Sequence, residues 1–248
     1  LHGWLGSWEL WRDTIEVLGR EFRTYALDFF GFGDSGVVLN DRPRANDMAS
    51  FTVPTYVEMV YQFMERLGIR KAPLIGHSMG GTVSLSTAIR YPEKVVKVCV
   101  IGSPINGSSL NLLLKLSGNP TLASLFWLFG GRGLTLFLRG YSYLIAKDGR
   151  AMSRMITNDV SKISVESFFQ SIGTLRQTDL RPDLGAITMP TLGMYGKRDI
   201  IVRPSEHKTL QSGVPHARIE WFPDAGHFIM MDSPERFITT LRGWLHNT

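Results

Sequence analysis

The sequence predicts an α/β fold, with a mostly parallel, doubly wound sheet and a helical insertion near residues 105–184. Three observations carry this expectation. Short β-rich runs alternate with longer helical stretches, the rhythm of βα units. The run VVKVCVIG at 95–102 is almost wholly apolar, as a strand covered on both faces must be. Between Ile105 and Leu184 the strand signal lapses, and short helical patterns follow one another.

Residues 8–22, WELWRDTIEVLGREF, have the spacing of an amphipathic helix, with Ser7 placed to cap it. Residues 23–28, RTYALD, form a strand pattern that runs into a glycine-rich turn, FFGFGDSG. A helix is expected over 53–67, with Gly68 as its stop, then a short strand over 72–75. Small and apolar residues at 79–90 form the next helix, which ends before Pro92. Strands follow at 95–101, 191–195 and 217–221, and a final amphipathic helix at 234–245. The core is thus read as 1–104 and 185–248, with 105–184 as a helical cap or lid.

The 248 residues suffice for one full hydrophobic core, and 44% hydrophobic with 20% charged residues excludes a disordered or collagen-like chain. The formal charge of +5 is scattered, without the basic run of a nucleic-acid arm. Arg42, Arg44, Lys197 and Arg198 read as solvated loop charges. Cys99 is the single cysteine, so no internal disulfide is possible, and it reads as a buried, inert thiol. The longest apolar stretch, 122–138, is broken by Gly130, Gly131, Arg132 and Gly133 and is too short on either side to span a bilayer. No signal peptide is visible, and a cytoplasmic location is the default expectation.

The chemistry concentrates in APLIGHSMGG. Gly76-His77-Ser78-Met79-Gly80 fits G-x-S-x-G between an expected strand and an expected helix. A sharp turn there holds the serine at a helix N-terminus, and Gly76 and Gly80 let neighbouring backbone approach. A serine hydroxyl needs a base. Among His2, His77, His207, His216, His227 and His246, the best placed is His227, in the loop WFPDAGHF after the last strand. His77, next to the serine, is expected to point away, and His207, His216 and His246 to be solvated. Asp199 follows the preceding strand and completes the order Ser, Asp, His, while Asp224 fits better as a turn former. The expected oxyanion donors are the backbone N–H groups of Met79 and of Trp4, in the early His2-Gly3-Trp4 loop.

Taken together, LHGWLGSW, LDFFGFGDS, GHSMGG, MYGKRDIIV and DAGHF, in that order, resemble the α/β-hydrolase superfamily over nearly the whole chain. The resemblance implies Ser78, Asp199 and His227 as a catalytic triad, a helical cap, and no cofactor or metal. The serine at the elbow disfavours the dehalogenase and epoxide hydrolase branches, which carry aspartate there. The family's sheet has strands ahead of the His-Gly loop, one of them between the strands read at 23–28 and 72–75; with the sequence opening at the loop, a gap in the sheet or a re-pairing is expected. The implied substrate is a small, apolar, ester-like molecule. A carbon–carbon bond hydrolase acting on a vinylogous diketone and a non-catalytic ligand receptor are the rival readings. Leu112, Leu113, Leu114, Leu125, Phe126, Trp127, Phe129, Phe168 and Phe169 make the cap apolar. Most are expected to pack it onto the core; contact with a membrane surface is the lesser expectation.

Overall fold

The computed structural model describes residues 1–37, 50–112, 114 and 130–247. Among these, the sheet has four strands, β1 (Ala72–His77), β2 (Val95–Ile101), β3 (Thr191–Gly196) and β4 (Arg218–Phe222), in the order β1-β2-β3-β4. Every pairing is parallel. The helices are α1 (Arg12–Leu18), α2 (Gly33–Val37), α3 (Val53–Arg66), α4 (Met79–Arg90), α5 (Gly130–Ile145), α6 (Gly149–Val160), α7 (Val165–Gln177), α8 (Glu206–Gly213), α9 (Ile229–Asp232) and α10 (Pro234–His246).

Two apolar clusters lie on opposite faces of the sheet. Val98 and Val100 of β2 join Val57 and Val60 of α3 and Val83 of α4 on one face. Cys99 and Ile101 join Leu18 of α1 and Phe237, Leu241 and Trp244 of α10 on the other. Neighbouring side chains of a strand point to opposite faces, so this double cover explains why β2 is apolar at nearly every position. Cys99 is buried, and burial pushes its thiol well above the usual range.

Two sequence expectations change at the N-terminal end. The single helix expected over 8–22 is a 3-10 turn at Trp8–Trp11 followed by α1, which ends at Leu18 and Gly19. Ser7 does accept a hydrogen bond from the Glu9 N–H. The strand expected over 23–28 is not formed. A strand needs a ladder partner, and this segment instead borders a cavity of about 830 Å³, lined across the gap by Ala72, Leu74 and Ile75 of β1. Among the described residues, Leu1 alone pairs with β1 there: its N–H group donates to the Ile75 carbonyl, and its carbonyl accepts from the His77 N–H. The expected gap in the sheet is therefore present between 23–28 and β1.

Residues 105–184 sit between β2 and β3, and their described part contains α5, α6 and α7 without a strand of the main sheet. The chain leaves and rejoins the core at one point, where Asn106 and Asp179 form an antiparallel bridge. Buried Glu206 of α8 fastens the outgoing turn by accepting from the N–H groups of Ile105 and Asn106.

Candidate active site

Ser78 stands between β1 and α4 with φ 52° and ψ −122°. Apart from Leu5, it is the one non-glycine with positive φ among the described residues. Such a conformation costs an L-residue roughly 1–2 kcal/mol and persists only where its surroundings enforce it. Here the Ser78 N–H donates to the Ile101 carbonyl of β2. A Cβ on Gly76 would collide with the Gly80 backbone, and one on Gly80 with the carbonyls of Leu1 and His2. The two glycines are thus required by close backbone approach, which explains their spacing around the serine.

The Met79 N–H occupies the first position of α4, where no intrahelical acceptor exists. The Trp4 N–H makes no hydrogen bond among the described residues. Its loop is fixed by His2, whose Nε2 accepts from the Phe29 N–H at 2.9 Å. The His2 proton must then sit on Nδ1, which donates to the Gly3 carbonyl at 2.7 Å. Burial lowers the His2 pKa to about 3, so the ring stays neutral. Gly3 lies against the elbow, for a Cβ there would stand 3.0 Å from the Ser78 Cβ. The Trp4 indole N–H reaches into the insertion and donates to the Phe168 carbonyl of α7 at 3.1 Å.

His227 and Asp199 are brought together, both buried, with Nδ1 and Oδ2 2.8 Å apart. Asp199 Oδ1 accepts from the N–H groups of Ile201 and Val202, so the carboxylate is aimed by its own turn. Asp224 is elsewhere, in an exposed pair with Arg198. Gly102, at φ +52°, leaves room for the pair: a Cβ there would stand 3.1 Å from Asp199 Oδ2 and 3.2 Å from His227 Nδ1.

The expectation that His77 points away from the site needs correcting. Its Nε2 lies 3.0 Å from the His227 carbonyl, to which it can only donate, and the two rings are 4.6 Å apart. Burial holds its pKa well below the ordinary histidine value, and its Nδ1 has no partner among the described residues. The signal was adjacency: a residue one place from a strained elbow lies against whatever covers the elbow. Of the other histidines, His246 is exposed and pairs with Glu21. His207 is half-buried against Trp221, contrary to the solvated reading, because its ring fills the space beside Tyr195.

In the insertion, Phe168 is buried and Phe169 and Leu114 pack on the core, whereas Leu112 is exposed. Leu113, Leu125, Phe126, Trp127 and Phe129 lie outside the described residues. No helix among the described residues is long and apolar enough to cross a membrane.

Comparison with known proteins agrees with this architecture. A family model described as alpha/beta hydrolase fold matches residues 1–154. The chain is 27% identical to a 2-hydroxy-6-oxo-6-phenylhexa-2,4-dienoate hydrolase of Burkholderia cepacia, over 94% of this chain and 80% of that protein. It is 24% identical to a pimeloyl-(acyl-carrier protein) methyl ester esterase of Nitrosomonas europaea, over 96% of this chain and 91% of the relative. Among solved structures, an esterase from Exiguobacterium antarcticum superimposes with a TM-score of 0.81 at 22% identity, covering 99% of this chain and 90% of the esterase. The chain belongs to the α/β-hydrolase fold family, whose relatives here are hydrolases.

Proposed function

We propose that the chain is a serine hydrolase that cleaves a carboxylic ester-type bond of a small, apolar substrate. The observations that carry this reading are the buried His227–Asp199 hydrogen bond and a serine held at φ 52° at the strand-to-helix turn. A carboxylate can only accept, so His227 Nδ1 carries the proton and Nε2 is left with its lone pair. In the reaction, His227 Nε2 takes the Ser78 proton as Oγ attacks the substrate carbonyl carbon. The oxyanion is held by the N–H groups of Met79 and Trp4. The proton passes to the leaving alkoxide, and the C–O bond breaks to leave an acyl-serine. Water, losing its proton to His227, then attacks the acyl carbon and releases the acid. Asp199 stabilises the imidazolium that forms at each step.

Residues 105–184 act as the cap, and their contact with the oxyanion loop through Trp4 and Phe168 supports this role. The deciding experiment is hydrolysis of short- and medium-chain p-nitrophenyl esters by the chain and by its Ser78→Ala variant. Loss of turnover by about 10³-fold or more is expected; retention of full turnover by the variant sinks the reading. The likeness to a dienoate hydrolase favours a second reading, in which the same triad cleaves a carbon–carbon bond of a vinylogous diketone. Parallel assays on an ester and a diketone separate the two, and tight ligand binding without turnover of either identifies a receptor.

A further inference from the structure

We infer that Asp232 is a positioning residue for His227 and that it couples this base to the segment following α5. The inference rests on the reading of His227 as the base. Asp232 ends α9, five places beyond His227, and is buried. Its Oδ2 accepts from the Gly226 N–H at 2.7 Å, immediately before the base. Its Oδ1 accepts from the Lys147 N–H at 2.8 Å, just past α5 in the insertion. Lys147 Nζ closes the contact by donating to the Asp232 carbonyl at 3.1 Å. The fit is close, since a Cβ on Gly226 would stand 3.3 Å from the Ile145 carbonyl.

The chemistry of the contact requires a carboxylate. Two backbone N–H groups from different parts of the chain converge on one side chain, and each takes its own oxygen. An amide of the same shape offers one oxygen and sets an N–H against the other donor. The base is then held at three points. His77 binds the carbonyl of His227, Asp199 binds its ring, and Asp232 binds the peptide N–H that precedes it. The last is shared directly with the insertion, through the Lys147 N–H. Withdrawal of residues 145–147 from the core therefore releases one hold on the imidazole, and seating of the cap and placement of the base become one event.

The test is the Asp232→Asn substitution, made in the wild-type chain and in a His227→Ala chain, with p-nitrophenyl butyrate as the probe. In the wild-type background kcat is expected to fall about tenfold or more, with KM changed by less than about twofold, because a stranded, half-buried N–H loosens the base rather than the substrate site. The acid limb of the kcat/KM profile, which reports the base, is expected to move with it. In the His227→Ala background the same substitution is expected to leave the residual turnover unchanged, since the group it acts through is gone.

Equal proportional losses in both backgrounds, or a wild-type kcat in the single variant, overturn the inference. Amide exchange in the unaltered chain is a check that needs no variant. Gly226 and Lys147 are expected to exchange slowly and together, and fast exchange of either one overturns the clamp. Ser78→Ala, run alongside, keeps the two readings apart. If it is inactive while Asp232→Asn is unaffected, only the role of Asp232 falls; if it is fully active, the serine mechanism falls first.

Discussion

Asp159 is a buried carboxyl that the proposed mechanism does not use, and it carries a sharp prediction about stability. It lies in the last turn of α6, is 1% exposed, and neither oxygen makes a hydrogen bond among the described residues. Burial raises its pKa from 3.8 to about 6, with the charges of Asp28 and Glu9 acting in the same direction and the Ser7 hydroxyl and Lys162 opposing. The carbonyl ends of α6 also disfavour a negative charge there. A folded-state pKa above the unfolded value means that the native chain binds the proton more tightly. Stability is therefore lost as pH rises from about 4 to about 6, and above that the full cost of about 3 kcal/mol is in place. Asp159→Asn keeps the shape and removes the charge. It is expected to stabilise the chain by about 3 kcal/mol at pH 8 and by about half of that at pH 5. For a chain of this length, the larger figure raises the melting midpoint by about 6–12 °C. Buried neutral histidines such as His2 destabilise the fold in the opposite pH direction, but they are common to both proteins and cancel in the difference. Thermal unfolding of the two proteins at both pH values is the assay. Equal midpoints at pH 8, or a gain that grows as pH falls, refute the reasoning.

Two further substitutions probe the ground beneath the proposed triad. Gly102→Ala places a methyl group 3.1–3.2 Å from the Asp199–His227 bond at a left-handed backbone position. It is expected to cost roughly 1–2 kcal/mol of stability and to lower kcat, and loss of the downfield Nδ1 proton signal of His227 checks it. His77→Phe keeps a ring against His227 and Phe228 but leaves the His227 carbonyl without its donor. Its expected cost is about 1–3 kcal/mol, read from denaturant midpoints, and an unchanged midpoint refutes the hydrogen bond's importance.

The strands and the elbow were legible because their signals are local. The run at 95–101 is apolar on both faces because two layers cover it, and Gly76 and Gly80 are spaced by the close approach they permit. The pairing of His227 with Asp199 rather than Asp224 also followed from chain order, since the turn after β3 aims Asp199 with its own N–H groups. What was not legible depends on partners distant in sequence. RTYALD has the composition of a strand, but a strand exists only in a ladder. His77 looked peripheral because nothing in GHSMG reveals that the loop at 227 folds down upon it. Asp232 and Asp159 are ordinary acidic residues in helices until Lys147 or Ser7 is brought beside them.

The gap beside β1 bears on the order in which the molecule comes apart. Strands β1 to β4 are tied by parallel ladders, whereas residues 23–28 make no ladder bond to β1. Regions with few ladder bonds open at lower free energy than the global transition. Residues 23–28 are therefore expected to exchange their amide protons faster than β1 to β4.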